Sequence, residues 1–585
     1  MLRQLLTAAL FCLAANSARA DDVVARSDAH AQVLLETNAK FSPEQASGLG
    51  LVQYDTQVAD LGPKREERQR AALDAAKADL GKRLAAESDA RVRQDIEIML
   101  DAIARQRESV DMESATMLPW TDAPRLVFNG LQRLLDPQVA PERQRSALER
   151  LRRYAGLAKG STPITTLARA RFEERMGDAK LLGPLRAEIE QSLANMPTYA
   201  KGIRELFAKA KLEGADSALA ALEQQFTDYA AWAREVVLPR ARTDATLPRD
   251  YYAYRLRQVG IDIAPEALVA RAQLEFMETR AAMQQLAPIV AKQQGIAATD
   301  YRDVLRALKK QQLGEADIVP YYHEVIAQLE QRIRDGGVVD VPKRPMVMRI
   351  GSAAENAAQP APHFQSAQVI GNTGEQGQFV LPLSNPQADG AKSESYDDFT
   401  YKAAAWTLSA HEGRPGHELQ FTSMVERGIS LARSVFARTS VNTEGWALYA
   451  EAEMVPFEPV EGQLVALQFR LLRAARAILD PMLNLGLMTR ERAREVLVDD
   501  VVLSEAMARQ ELDRYQFRSP GQAGSYFYGY SRILELRMET ELALGAKFDR
   551  LAYNNFLLQQ GMLPPDLLAK AVREQFVPAR RSAQP

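Results

Sequence analysis

Apolar residues return at helical spacing through most of the chain, and that rhythm points to a mainly α fold. Between Arg65 and Glu108, Leu73, Leu80, Leu84, Ile96, Ile98, Leu100 and Ile103 stand among many Arg, Glu and Asp. The same pattern fills Glu142 to Leu157, Leu181 to Leu193, Gly214 to Val236, Pro265 to Gln294 and Tyr321 to Arg334. It resumes over Phe399 to Ala410, Glu444 to Met454, Gln463 to Leu479, Glu491 to Arg509 and Tyr526 to Leu544. These stretches are rich in Ala, Leu, Arg and Glu, which favour helix. Their charged faces read as solvated surface. No repeat of fixed period and no clear linker divides the chain, so 21–585 is predicted to be one helical unit, with 21–335 and 336–585 as candidate lobes.

One region breaks the rhythm. Gly336 to Ser395 is rich in Gly, Pro, Asn and Ser, and holds two strand-like runs, Pro345 to Ile350 and Gln378 to Leu383. It leads directly into the helix bearing His411, so it is predicted to be a small β-element beside the active-site cleft. Pro382 suits an edge strand, and a free edge can pair with an extended peptide.

The N-terminus reads as an export signal. Arg3, the apolar run from Leu5 to Ala15 and the Ala18-Arg19-Ala20 cleavage pattern make a leader over 1–20, too short to span a membrane. The only cysteine, Cys12, lies inside it, so the processed chain has no disulfide. No other long apolar run is present. Lys and Arg total 73 against 76 Asp and Glu, which gives no basic field for nucleic acid and no polybasic patch for a membrane. A soluble periplasmic or secreted protein is the expectation.

Chemistry concentrates in one window. Five His occur in 585 residues, and two of them stand in His411-Glu-Gly-Arg-Pro-Gly-His417. Neutral imidazoles and a carboxylate are the ligands of a catalytic zinc, which keeps one position for water. Glu444, in a following helical stretch, completes a two-His, one-Glu set with His411 and His417. Glu412, beside the first ligand, is placed to accept a proton as general base. The spacing is unusual: residues six apart on an ideal helix point about 120° from each other. Pro415 and Gly416 offer a kink or wide turn to rotate His417 back. Without one, Glu418, seven residues after His411, is the competing ligand. Glu451, seven after Glu444, shares its face and is a candidate to orient a ligating imidazole. Gln420 reads as a helix-surface amide. Arg514 is placed to clamp a substrate carboxylate or to make a structural ion pair. Tyr526 and Tyr530, four apart, share a helix face, which makes Tyr530 a candidate to support the site or contact substrate.

These blocks resemble a known family. His411 to Gln420 is similar to the signature of the bacterial domain-of-unknown-function 885 family, as is the Glu444-Gly-Trp-Ala-Leu-Tyr449 block. Asp513-Arg-Tyr515, Ser519-Pro-Gly-Gln522, Ser525-Tyr526 and Gly529 make a third match in order. The sequence departs from the family where Glu418 replaces a second His and Gly413 the usual Ala. The family looks like a relative of the thimet oligopeptidase, angiotensin-converting enzyme and carboxypeptidase Taq group. The resemblance implies a neurolysin-like, two-lobed helical shell around a deep cleft with zinc at its floor. It also implies His411, His417 and Glu444 as ligands, Glu412 as general base and Tyr526 as oxyanion donor.

The expectation is an exported zinc peptidase cutting short peptides, with one Zn2+ per chain. The alternatives are a zinc amidase of a non-peptide substrate and a non-catalytic peptide-binding protein. A purely structural zinc is disfavoured, because such sites are usually four-ligand and Cys-rich.

Overall fold

The computed structural model describes residues 22–385 and 394–582. The leader read at 1–20 lies outside the described residues. The fold is mainly α, with a three-stranded sheet and a two-stranded antiparallel pair, Ser384–Asn385 with Glu394–Ser395, among the described residues. Among the described residues no helix is long and apolar enough to cross a membrane.

Helix ends follow local chemistry. The stretch read from Arg65 to Glu108 is two helices, Arg65–Ala86 and Ala90–Thr116. Asp89 caps the second by accepting from the Arg91 amide, which turns the chain at Glu87 to Asp89. Leu181 to Leu193 likewise begins as an irregular strap, with helix only from Arg186 to Lys209. The stretch from Glu491 to Arg509 breaks after a wide turn at Val496–Asp500 and restarts at Glu505, capped by Ser504.

Four apolar clusters build the core. The largest gathers Phe276 to Ile333 with most C-terminal helices, while a second lies mainly within 61–237. Residues 276–333 therefore pack with the C-terminal part, and the core does not divide at 335. A third cluster joins N-terminal Leu34, Ile96 and Ile103 to Phe421 and Phe436. That contact braces the helix after His417 from outside.

The β-element has three strands, β1 (Val347–Ile350), β2 (His363–Gln365) and β3 (Gln378–Leu381), in the order β1-β3-β2. The first pair is parallel and the second antiparallel. The run at Gln378 is thus the central strand, fully buried, and not the edge that Pro382 suggested. Proline is tolerated because the ladder ends one residue earlier, at Leu381. The edge next to the candidate site is β2, a strand too short and polar to be read from the sequence.

Two helices central to the site, Ser440–Met454 and Ser525–Leu544, touch at a pair of glycines. A Cβ on Gly445 would lie 2.6 Å from the Gly529 carbonyl carbon, and one on Gly529 would lie 2.2 Å from the Val441 oxygen. Only glycine allows that approach, which brings Glu444 and Tyr526 to one cavity.

Just past the first of these helices sits Glu458, 5% exposed. Neither carboxylate oxygen has a hydrogen-bond partner among the described residues. Burial, reinforced by Glu451 and opposed by Arg332, pushes its pKa up from 4.5 to about 8. The folded state therefore holds a proton that the unfolded chain releases, and stability falls as pH rises across that window. Glu458→Gln is expected to raise the melting temperature by several degrees at pH 8 and to give little gain near pH 4, measured by thermal unfolding at both values.

Candidate metal centre

The helix Ala404–Leu408 continues as a wide π turn, Ser409–Gly413, which carries His411 and Glu412. All five residues of the turn are buried. The chain then leaves the helix: Arg414 is extended (φ −120°, ψ 131°), and a new helix, His417–Glu426, starts directly on the second imidazole. The sequence suggested a bend or wide turn at Arg414 to Gly416. The structure instead widens the preceding turn and interrupts the helix there. Gly416 is the pivot, since a Cβ would lie 1.9 Å from the His411 oxygen and 2.4 Å from that of Ala410. Trp446 Nε1 donates to the Pro415 oxygen at 3.0 Å and ties this turn to the Glu444 helix. The two imidazoles end 4.7 Å apart between ring centres, nearly perpendicular at 81°.

Glu444 reaches them from the second turn of its helix. Its Oε2 lies 3.5 Å from His411 Nε2 and 3.2 Å from His417 Nε2. One ligand atom from each of the three residues falls within 4.8 Å of the others. Four-coordinate zinc with bonds of about 2.1 Å places its ligand atoms roughly 3.4 Å apart, which the two measured separations match. Glu444 Oε2 is buried and has no hydrogen-bond partner among the described residues, so its lone pairs are available to a cation. Burial works against its charge, yet the two imidazoles hold its carboxyl well below the usual range. The donor set fits a divalent ion.

Glu451 fixes the first imidazole. It accepts from His411 Nδ1 at 2.5 Å, from Thr407 Oγ1 at 2.9 Å and from Arg473 Nη2 at 3.1 Å. The proton is thereby held on Nδ1, leaving Nε2 its lone pair for a metal. Burial opposes a charged His411, but Glu451 and Glu444 outweigh it and push its pKa up to about 9, so a metal binding at Nε2 displaces a proton there. Glu412 faces the same space, with Oε1 4.0 Å from His411 Nε2. Glu418, the competing ligand in the sequence, is turned away. Arg414 grips it through Nε at 2.5 Å and Nη2 at 3.1 Å, and Thr422 donates to it at 2.8 Å. Gln420 is buried, not a surface amide, and lies outside the cavity.

The cluster opens on a cavity of about 410 Å3. Tyr526 lines it, stacked on His411 with ring centres 6.0 Å apart. Arg514 Nη2 donates to the Tyr526 hydroxyl at 2.9 Å, and its Nε donates to Gln522 at 3.0 Å. With those donors engaged, Arg514 positions Tyr526 and is poorly placed to be a free clamp. Burial raises the pKa of the Tyr526 hydroxyl, Arg514 opposing, so it keeps its proton at neutral pH. Tyr530 is not at the site. One turn deeper in the helix, it packs under Arg470, 5.3 Å from that guanidinium.

Several lining residues escaped the sequence reading. His363 comes from edge strand β2, Arg473 and Arg476 from the one helix Val460–Asn484, Arg518 from the wide turn Arg514–Arg518, and Arg438 from the segment just before the helix Ser440–Met454. Arg473 and Arg476 carried a signal, being charged residues inside the apolar run Leu471 to Leu479. A larger cavity, about 740 Å3, adjoins this one and shares Arg125 and Arg518, but contains none of the three ligands.

Comparison with known proteins adds family and fold. A family profile described as "Bacterial protein of unknown function (DUF885)" matches residues 43–572. A search of the curated proteins gave no match. A Colwellia psychrerythraea protein described as a "putative lipoprotein" superposes with a TM-score of 0.75 at 18% identity, covering 96% of this chain and 99% of its own. A Shewanella oneidensis "putative lipoprotein of unknown function" gives 0.67 at 18% identity, with 94% and 99% covered. At that identity the likeness concerns the fold.

Proposed function

The chain belongs to the DUF885 family of bacterial proteins, and from that premise and the geometry of the His411 cluster we propose an exported zinc-dependent peptidase acting on short peptides. The observation that carries this reading is the convergence of His411 Nε2, His417 Nε2 and Glu444 Oε2, with Glu412 beside them at the wall of a cavity. Two imidazoles and one carboxylate suit zinc. Bound there, the ion supplies Lewis acidity toward water and the scissile carbonyl.

The chain's own groups do the rest. Glu412 takes a proton from the attacking water and returns it to the leaving amine. Tyr526 accepts from Arg514 and so has its own proton to offer the oxyanion that develops on the carbonyl. Glu451 keeps His411 in one tautomer through the step. The edge strand β2 borders the cavity through His363 and Phe364, and an extended peptide can add to such an edge by main-chain hydrogen bonds. A cavity of this size takes a few residues of unfolded chain and turns away a folded protein. Export rests on the leader at 1–20.

The test is digestion of a peptide library by the zinc-loaded protein, read by mass spectrometry. Cleavage that stops on chelation and returns with zinc supports the reading. Intact peptides, with amide release from small non-peptide substrates, would favour an amidase. Saturable peptide binding without cleavage would favour a binding protein.

A further inference from the structure

Among the described residues, six arginines and no lysine line the cavity around the metal cluster: Arg125, Arg438, Arg473, Arg476, Arg514 and Arg518. The acids lining it among those residues are Glu412 and Glu444, both already committed to the reaction. Acids behind the wall answer some of the arginines. Glu511 takes Arg476 through two hydrogen bonds of 2.7 and 2.6 Å, and Glu451 takes one nitrogen of Arg473.

Two arginines keep unused donors. Among the described residues Arg438 makes no hydrogen bond or ion pair, and its guanidinium carbon lies over Phe421, 4.8 Å from the ring centre. Arg518 is held by Gln191 through Nε at 3.1 Å and Nη2 at 2.6 Å, which leaves Nη1 buried and without a partner among the described residues. Hydrogen bonds fix Arg518, whose buried Nη1 is costly to leave unmet; Arg438 is an exposed residue resting over Phe421, with its cationic donors unused. A planar guanidinium is shaped for a carboxylate, which it binds through two parallel hydrogen bonds.

We propose that substrates are selected by a carboxylate, received in this cavity by Arg438 and Arg518. The inference rests on the peptidase reading for the rest of the substrate. A peptide offers a carboxylate at its free C-terminus or on an acidic side chain, and the experiment separates these sources.

Peptide affinity is measured by calorimetry on the zinc-loaded Glu412→Gln protein, which binds without turning over. Each peptide is compared with its C-terminal amide and with its Glu→Gln counterpart. Loss of about 10- to 100-fold on amidation identifies the C-terminal carboxylate, and the same loss on Glu→Gln identifies the side chain. Arg438→Gln and Arg518→Gln, added singly, are expected to erase most of that discrimination with zinc retained. Equal affinity for charged and neutral peptides overturns the proposal. Discrimination that survives both substitutions overturns its assignment to these residues. A failure of wild-type protein to cleave any peptide would count against the peptidase reading alone, because the carboxylate preference is read in binding.

Discussion

Glu412→Gln is expected to keep one zinc per chain and to lower kcat by on the order of 10³-fold or more. Gln has the same shape but cannot take a proton, and general-base contributions typically amount to about 10²- to 10⁴-fold. The ligands His411, His417 and Glu444 are untouched, and among the described residues Glu412 makes no hydrogen bond on which the turn depends; its Oε1 lies 4.0 Å from His411 Nε2. Steady-state kinetics and metal analysis on the same preparation check this. Retained turnover with zinc bound would remove Glu412 from its role. Loss of zinc together with turnover would make it a ligand instead.

Gly416→Ala is expected to weaken zinc binding by on the order of 100-fold or more, although position 416 is no ligand. The added methyl would meet backbone, 1.9 Å from the His411 oxygen and 2.4 Å from the Ala410 oxygen, and backbone atoms cannot step aside as a flexible side chain does. The turn must open, and His417 moves with it. Ligand geometry tolerates little displacement. Gly413→Ala is the contrasting case. Its Cβ would meet only the end of Met346, 3.1 Å from Cε and 3.3 Å from Sδ, and a methionine side chain adapts easily. That variant is expected to bind zinc as the wild type does. Competition with a chromophoric chelator compares the two, and equal affinities would show that the tight turn does not set the site.

The sequence was most legible where chemistry is local. The helices announced themselves by spacing, and the His411, Glu412, His417 and Glu444 set by residue type. Helical arithmetic exposed the six-residue gap as a problem and pointed to Pro415 and Gly416 as its remedy. It could not show that a wide turn upstream, at Ser409–Gly413, shares the task, because π turns have no distinct residue pattern. Glu418 stayed a rival ligand until its partner was visible: Arg414 is only four residues away, but whether such a pair forms depends on what surrounds it. Tyr530 shared a face with Tyr526 by spacing alone, yet one helical turn is about 5.4 Å, enough to leave a cavity of this size. The arginine wall was least legible. Arg438 and Arg518 stand in unrelated segments, and only tertiary folding sets them around one space. The central place of β3 was hidden for the same reason, since β1 and β2 both precede it in sequence and flank it only in space.

The most direct test of the metal centre is a zinc titration of the metal-free protein against a chromophoric chelator, with His417→Ala in parallel. One tight site per chain in the wild type, lost in the variant, is the expected result. No tight site, or a site of unchanged affinity without His417, would contradict the account.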